Sequence, residues 1–262
     1  MKRRHVALLG PLVALALSAP ACGDEAPAPA PSASAKKEAP PPPPPPAASS
    51  SAPAKVARKE RDCGKGQEIT FDDPVLEKAI RVQAAKPKDA VTKADLAKVK
   101  SLNITESKAP DPMDPCVFAE LKQLKSLFLP PGEYDDITML KGLVNLESLR
   151  LSINQVSDLG PISGMKKLDR LDLGRTQVKD LAPIAGLENL TELMLDETQV
   201  TDLGPIAKLK KLNVLSIKKT AIKDLSPLKD MKELKNLYIG GSKVEDTSPV
   251  KDLTRLKIHS EI

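Results

Sequence analysis

The chain has no tryptophan, and its 262 residues include only three phenylalanines and two tyrosines. A core made from this sequence must therefore be aliphatic. Histidine is almost missing as well: His5 lies in the N-terminal stretch and His259 near the other end. There is no Gly-rich phosphate loop, no His-x-x-x-His pair and no His/Cys/Asp cluster at ligand spacing. That inventory argues against an enzyme, and no cofactor or metal is expected. Cysteine is limited to Cys22, Cys63 and Cys116. Charge of one sign is lacking too. The formal charge of +5 includes Lys2, Arg3 and Arg4, and without them 37 basic side chains face 35 acidic ones. So small a net charge gives no electrostatic case for nucleic acid or for an anionic membrane surface.

Only one long apolar run exists, Val6 to Leu17, too short to span a bilayer with ease. With the basic residues before it and Ala19-Pro20-Ala21 after it, residues 1–21 read as a secretory signal. Ala19 and Ala21 suit ordinary signal cleavage. The Cys22 that follows resembles the lipobox of bacterial lipoproteins, which implies acylation of Cys22, although Ala19 stands where Leu is usual. Either route places the mature chain outside the cytoplasm: lipid-anchored to the cell envelope, or secreted if Cys22 is not acylated. The membrane would be reached only through Cys22.

Residues 22–61 form an Ala/Pro/Ser-rich linker with seven consecutive prolines from Pro40 to Pro46. Such a segment has almost nothing to bury and is expected to stay unfolded. Polyproline is stiff over several residues, so it suits a spacer. A proline-rich ligand for an aromatic-groove domain is the competing use.

From Leu124 onward one 22-residue unit is written six times. Counting from its opening leucine, position 1 is Leu124, Leu146, Leu168, Leu190, Leu212 and Leu234. Position 4 is Leu127, Leu149, Leu171, Leu193, Leu215 and Leu237, and position 6 is again Leu or Ile. Position 11 is apolar from Tyr134 to Val244, and position 13 is aspartate from Asp136 to Asp246. Position 16 is proline from Pro161 to Pro249, with Met139 in the first copy. Alternation at positions 4 and 6 predicts a short strand with one buried face. One strand per unit predicts a parallel ladder at about 4.8 Å per strand. The Asp-to-Pro run supplies the return turn, with the aspartate accepting backbone N–H bonds. One unit cannot bury its leucines alone; stacked units can. Calcium binding by the aspartates is the weaker reading, since the dense Gly-x-Asp pattern of calcium solenoids is missing.

Before the repeats, residues 62–123 predict a helical cap and a divergent first copy. Asp73-Pro74 starts a helix carrying Val75, Leu76, Ala79, Ile80 and Val82, which Lys86-Pro87 stops. Thr92-x-x-Asp95 is a capping-box start for a second. Val99, Leu102 and Ile104 repeat the unit's opening spacing, and Ala109 to Pro115 reads as a loop. Residues 124–262 hold the repeats, which fray at the end. Either Leu256 opens a further copy, placing His259 and Glu261 on buried beats, or Leu253, Leu256 and Ile258 form a strand three residues early. The second avoids burying charge and is preferred.

The pattern Leu-x-x-Leu-x-Leu, then Val or Ile, then Asp-Leu-x-Pro-Ile resembles the leucine-rich repeat of the bacterial internalin type over about Asp72 to Ile262. The resemblance implies an α/β solenoid: a parallel β-sheet on the concave face, short 3-10 or turn segments on the convex face, and a helical N-terminal cap. It also implies a concave face that binds a partner, usually a protein or glycan. Position 9, where many members carry Asn, has only Asn154; Thr176, Thr198, Thr220 and Ser242 offer a hydroxyl instead.

The candidate binding surface is the outward column of the strands. Position 5 holds Phe128, Arg150, Asp172, Met194, Ser216 and Tyr238. Position 3 adds Arg170 and Glu192, and positions 7 and 8 add Arg175, Asp196, Glu197, Lys218 and Lys219. Register sets Arg150 beside Asp172, Arg170 beside Glu192, Asp196 beside Lys218, and Glu197 between Arg175 and Lys219. Those neighbours neutralise one another, which leaves Phe128, Met194 and Tyr238 as exposed anchors for a protein contact. Cys63 and Cys116, an even pair outside the cytoplasm, predict a disulfide worth ~4 kcal/mol in the chain-entropy model. Two free thiols are the alternative. The expected molecule is a monomeric, non-enzymatic binding module of the cell envelope. A structural envelope protein that packs through the solenoid is the runner-up, and an enzyme a distant third.

Overall fold

Eight strands of three residues lie side by side in sequence order, every neighbouring pair parallel. The computed structural model describes residues 68–109 and 113–261. The expected signal segment, the linker, Cys22 and Cys63 lie outside them. The strands are β1 (Ser101–Asn103), β2 (Ser126–Phe128), β3 (Ser148–Arg150), β4 (Arg170–Asp172), β5 (Glu192–Met194), β6 (Val214–Ser216), β7 (Asn236–Tyr238) and β8 (Lys257–His259).

The register follows from the leucines. Position 4 of each unit pairs with position 4 of the next, from Leu102↔Leu127 through Leu215↔Leu237. These side chains are fully buried, as are those of positions 1, 11 and 17 through most of the repeats. A one-residue slip in any strand would turn this column to the opposite face, so burial of one face fixes the pairing. After each strand from β2 to β7 the chain makes a sharp corner and runs to a short 3-10 turn: Thr138–Gly142, Gly160–Ile162, Ala182–Ile184, Gly204–Lys208, Ser226–Leu228 and Ser248–Val250. The aspartate of position 13 starts each turn. Its Oδ1 accepts the N–H two residues on, at 2.7–2.9 Å from Asp136 to Asp246. Proline at the first helical positions suits a site whose N–H has no partner within the turn.

Position 9 closes the corner from inside. The hydroxyls of Thr176, Thr198 and Thr220 each donate to the position 6 carbonyl of their own unit at 2.7 Å. Asn154 does more, donating from Nδ2 to the carbonyls of Pro130, Leu151 and Ser152. Its buried Oδ1 has no donor. At the same place one unit on, Thr176 has a single proton, already given to Leu173.

The cap follows the same local rules. Helix α1 (Pro74–Ala84) begins where Asp73 accepts from Val75 N at 2.8 Å and ends on Ala85 in the left-handed region. Ser107, in the loop after β1, donates to the other Asp73 oxygen at 2.6 Å and ties cap to sheet. In α2 (Lys93–Leu96) both arms of the Thr92–Asp95 capping box are made. Leu76 and Ile80 are buried and Val75 and Ala79 pack at the margin, but Val82 is 71% exposed, contrary to the helical stripe expected of it. Directly after the expected loop, starting at its last residue, comes a turn of helix that was not expected, α3 (Pro115–Phe118), capped by Asp114. The Asp114-Pro115 pair repeats the signal of Asp73-Pro74.

At the far end neither expected register holds. Leu256 N bonds Leu253 O as Leu234 N bonds Met231 O, so Leu256 does open the unit. One residue is then skipped, and Ile258 pairs with Leu237. The skip keeps charge off the buried beat, which is the physical reason that favoured an early strand. Ile258 remains 39% exposed, as the last strand of the sheet.

Leu171→Ala should lower stability by about 2–5 kcal/mol, since the leucine is enclosed by units on both sides. Asn154→Ala should lower it by about 1–3 kcal/mol by leaving carbonyls undonated, and Asn154→Thr by less. Urea unfolding of the protein checks both; equal stability of Asn154→Ala and wild type would refute the role given to that side chain.

Candidate functional site

The parallel register lines up the outward columns as the sequence implied. Position 5 runs Asn103, Phe128, Arg150, Asp172, Met194, Ser216, Tyr238 and then His259. Position 3 carries Arg170 beside Glu192. Four expected ion pairs are present: Arg150–Asp172 at 3.2 Å, Arg170–Glu192 at 3.6 Å, and those of Glu197 with Arg175 (3.3 Å) and Lys219 (3.1 Å).

The fifth is not. Asp196 turns its carboxylate to the Ser216 hydroxyl and to the Lys218 backbone N–H, the latter at 2.8 Å. The Lys218 ammonium sits instead over the Tyr238 ring, 5.4 Å from its centroid. On the next strand, His259 stacks on Tyr238 at 4.4 Å and 15°, and its Nε2 lies 3.2 Å from Asn236 Oδ1. Lys218, Tyr238 and His259 therefore form one cluster at the end of the sheet. Sequence reasoning missed it because the skipped residue moves His259 into the position 5 column.

A second feature was also missed. Position 8 adopts a left-handed backbone in every unit after the first: Ile153 (φ 62°), Arg175 (57°), Glu197 (56°), Lys219 (52°) and Gly241 (71°). Only the last is the residue type that favours this region. For the β-branched Ile153 it is a true outlier. The conformation lets each position 8 N–H reach the position 7 carbonyl of the next unit, at 2.7–2.9 Å from Ile153 to Lys219. Four of the five residues so held point large side chains away from the core, and Ile153 is 40% exposed.

Between the position 5 column and this corner lies an open depression of about 410 Å³. Arg150, Ser152, Asp172, Gly174, Asp196 and Lys218 line it, with the position 8 residues from Ile153 to Lys219. Its polar groups are held by one another: Arg150 Nε donates to Ser152 Oγ at 2.9 Å, and Gly174 N to Asp172 Oδ1 at 3.0 Å. Gly174 matters here, because an added Cβ would meet Asp172 Oδ1 at 3.3 Å. The three expected anchors, Phe128, Met194 and Tyr238, are half-buried rather than freely exposed. Phe128 and Tyr238 lie at opposite ends of the column with Met194 between them. No group of three or more metal-ligating side chains occurs among the described residues, and no helix among them is long and apolar enough to cross a membrane. Cys116, half-buried in α3, is disulfide-bonded, and Cys63, its expected partner, lies outside the described residues.

A family model of leucine-rich repeats, two copies per match, fits residues 144–186 and 188–230. The fold is similar to an internalin (InlF) of Listeria monocytogenes, 27% identical with a TM-score of 0.65, over 72% of this chain and 56% of that one. It is similar as well to internalin C2 of the same species, at 26% identity and a TM-score of 0.60, over 72% of this chain and 93% of that one. The chain carries leucine-rich repeats and shares the fold of these internalins. It spans little more than half the length of InlF. A leucine-rich-repeat protein of Leptospira interrogans shares the fold at 19% identity and a TM-score of 0.51, over 63% of this chain and 49% of that one. No curated protein sequence matches the chain. Internalin-type repeats are typically protein-interaction modules.

Several carboxylates of these repeats are held below the usual range by the donors that face them. Hydrogen bonds from Lys219 and Arg175 lower Glu197, bonds from Ser226 lower Asp224, and those from Ser248 lower Asp246. In the cap, Thr92 brings Asp95 down to about 2. A carboxyl depressed in the folded state contributes stability above its unfolded pKa and loses it as pH falls through the folded value. Unfolding midpoints should therefore fall steadily below pH ~4. Asp95→Asn should remove the part of that decline lying between the ordinary aspartate range and about 2. Urea midpoints measured from pH 7 to pH 2 check this, and a flat profile would refute it.

Proposed function

We propose that the protein is a non-catalytic binding module of the cell envelope that recognises a protein partner on the strand face of its repeats. The observation that carries this reading is the column Phe128–Arg150–Asp172–Met194–Ser216–Tyr238. Its backbone is locked by in-register pairing and its charges are mutually satisfied, so the face is preformed and nearly neutral. Such a surface binds with little change of shape, and half-buried aromatics set among satisfied polar groups are suitable anchors. A glycan is the alternative ligand for the same face. Affinity capture with wild type, Phe128→Ala/Tyr238→Ala, and a charge-reversed Arg150/Arg170/Arg175 variant tests it. The alanine variant should bind its captured partner at least about tenfold more weakly, with a melting temperature changed by only a few degrees. Capture unchanged by either variant would move the contact off this face, as packing through the opposite side by a structural protein requires.

The export route belongs to the same reading. We place the chain outside the cytoplasm, anchored through an acylated Cys22, with a Cys63–Cys116 disulfide bracing the cap beside the first strand. Mass spectrometry of the non-reduced protein from its native envelope should find a lipid-modified Cys22 peptide and a linked Cys63–Cys116 pair. A free Cys22 peptide in the culture medium would leave a secreted molecule, and two alkylatable thiols would remove the brace.

A further inference from the structure

The small net charge of this chain hides a segregation that the fold makes visible. Between each 3-10 turn and the next strand, the chain returns along one long edge of the sheet. Side-chain bonds between successive returns mark that edge: Lys167 to Asn145 at 2.7 Å, Asn189 to the Lys166 carbonyl at 2.7 Å, and Lys211 to Asn189 at 2.6 Å. With Lys141 and Lys208 at the ends of their 3-10 turns and Lys257 at the start of β8 included, these returns carry twelve basic and six acidic side chains, and the last three hold nine of the basic and three of the acidic. The opposite edge, from Glu133 to Asp246 between the corners and the 3-10 turns, carries nine acidic and three basic.

The acidic edge has a structural explanation, because its aspartates start the turns. The basic one has none beyond the bonds that Lys166, Lys167 and Lys211 make to neighbouring returns. Lys208, Lys210, Lys211, Lys229, Lys232 and Lys235 are all exposed. Among the described residues no carboxylate lies within ion-pairing distance of any of them. On the strand face a charge sits beside its opposite from unit to unit. Here like sits beside like: Lys210 by Lys232 and Lys229 by Lys251, each pair one unit apart at the same position. Like charges carried at the same position of successive units repel one another, so an external anion would relieve a repulsion that the chain itself leaves in place.

We propose that this edge, over the last three returns, binds a linear anionic polysaccharide lying along the axis of the repeats. The linear arrangement suits a chain bearing charges at regular intervals better than a planar bilayer. No aromatic side chain lies on the returns to stack a base, which disfavours single-stranded nucleic acid. The aspartates of a second copy are a poor counter-surface, since each already accepts a bond from its own turn. The inference is independent of the strand-face reading.

The experiment is a titration of the whole protein with a heparin oligosaccharide, followed by fluorescence anisotropy at increasing salt. Lys210→Gln/Lys211→Gln/Lys232→Gln should bind at least tenfold more weakly, with the slope of log affinity against log salt reduced by about three. The matching Arg replacements should keep binding. Lys179→Gln/Lys223→Gln/Lys243→Gln, on the acidic edge, should behave as wild type. No binding of wild type at low salt overturns the proposal, as does an equal loss in the acidic-edge variant. So does binding to anionic phospholipid vesicles without binding to heparin, or salt-sensitive self-association in sedimentation without it.

Discussion

Each leucine of position 4 is shielded by the same leucine one unit before and one unit after, and the rest of the molecule depends on that stacking. The constraint is collective. A strand of three residues has too little surface to be stable by itself, and a single unit leaves its apolar beats open to water. With the column from Leu102 to Leu237 aligned, every outward side chain acquires fixed neighbours without further design. The ion pairs of the strand face, the depression beside it and the like-charge pairs of the basic edge are all products of one register.

The N-terminal cap and the last strand show two ways of ending such a stack. At the start, α1 covers the first strand, and Ser107 clamps the Asp73 that caps the helix. At the other end the chain skips one residue rather than place charge over Leu237, and it leaves Ile258 half open. The skip also sets His259 against Tyr238, so an irregularity in the core becomes a feature of the outer face.

How much of this is legible in the sequence depends on whether a feature repeats. Strand, corner, aspartate cap and 3-10 turn recur every 22 residues, so chance is excluded and the register of Arg150 with Asp172 can be read in advance. Single events are harder. Val82 fits a helical stripe, but only the packing of α1 decides how wide the buried stripe is. Asp114-Pro115 is a helix start hidden in a proline-rich insert. The pairing of Asp196 with Lys218 fails because register fixes backbone neighbours, while a flexible ammonium is free to choose an aromatic face over a carboxylate already engaged. The basic edge escapes a composition argument entirely, since an opposing acidic edge cancels it in any whole-chain sum.

The left-handed corners carry one more implication. At Ile153, Arg175, Glu197 and Lys219 glycine would relax the backbone, as Gly241 does in the last full unit, yet bulky residues stand there. Glycine at these sites would toughen the scaffold while blunting the rim that such side chains form beside the depression. Relief of the backbone and breadth of that rim thus pull in opposite directions at four consecutive corners. With these four residues the chain has the broader rim and the more strained corner.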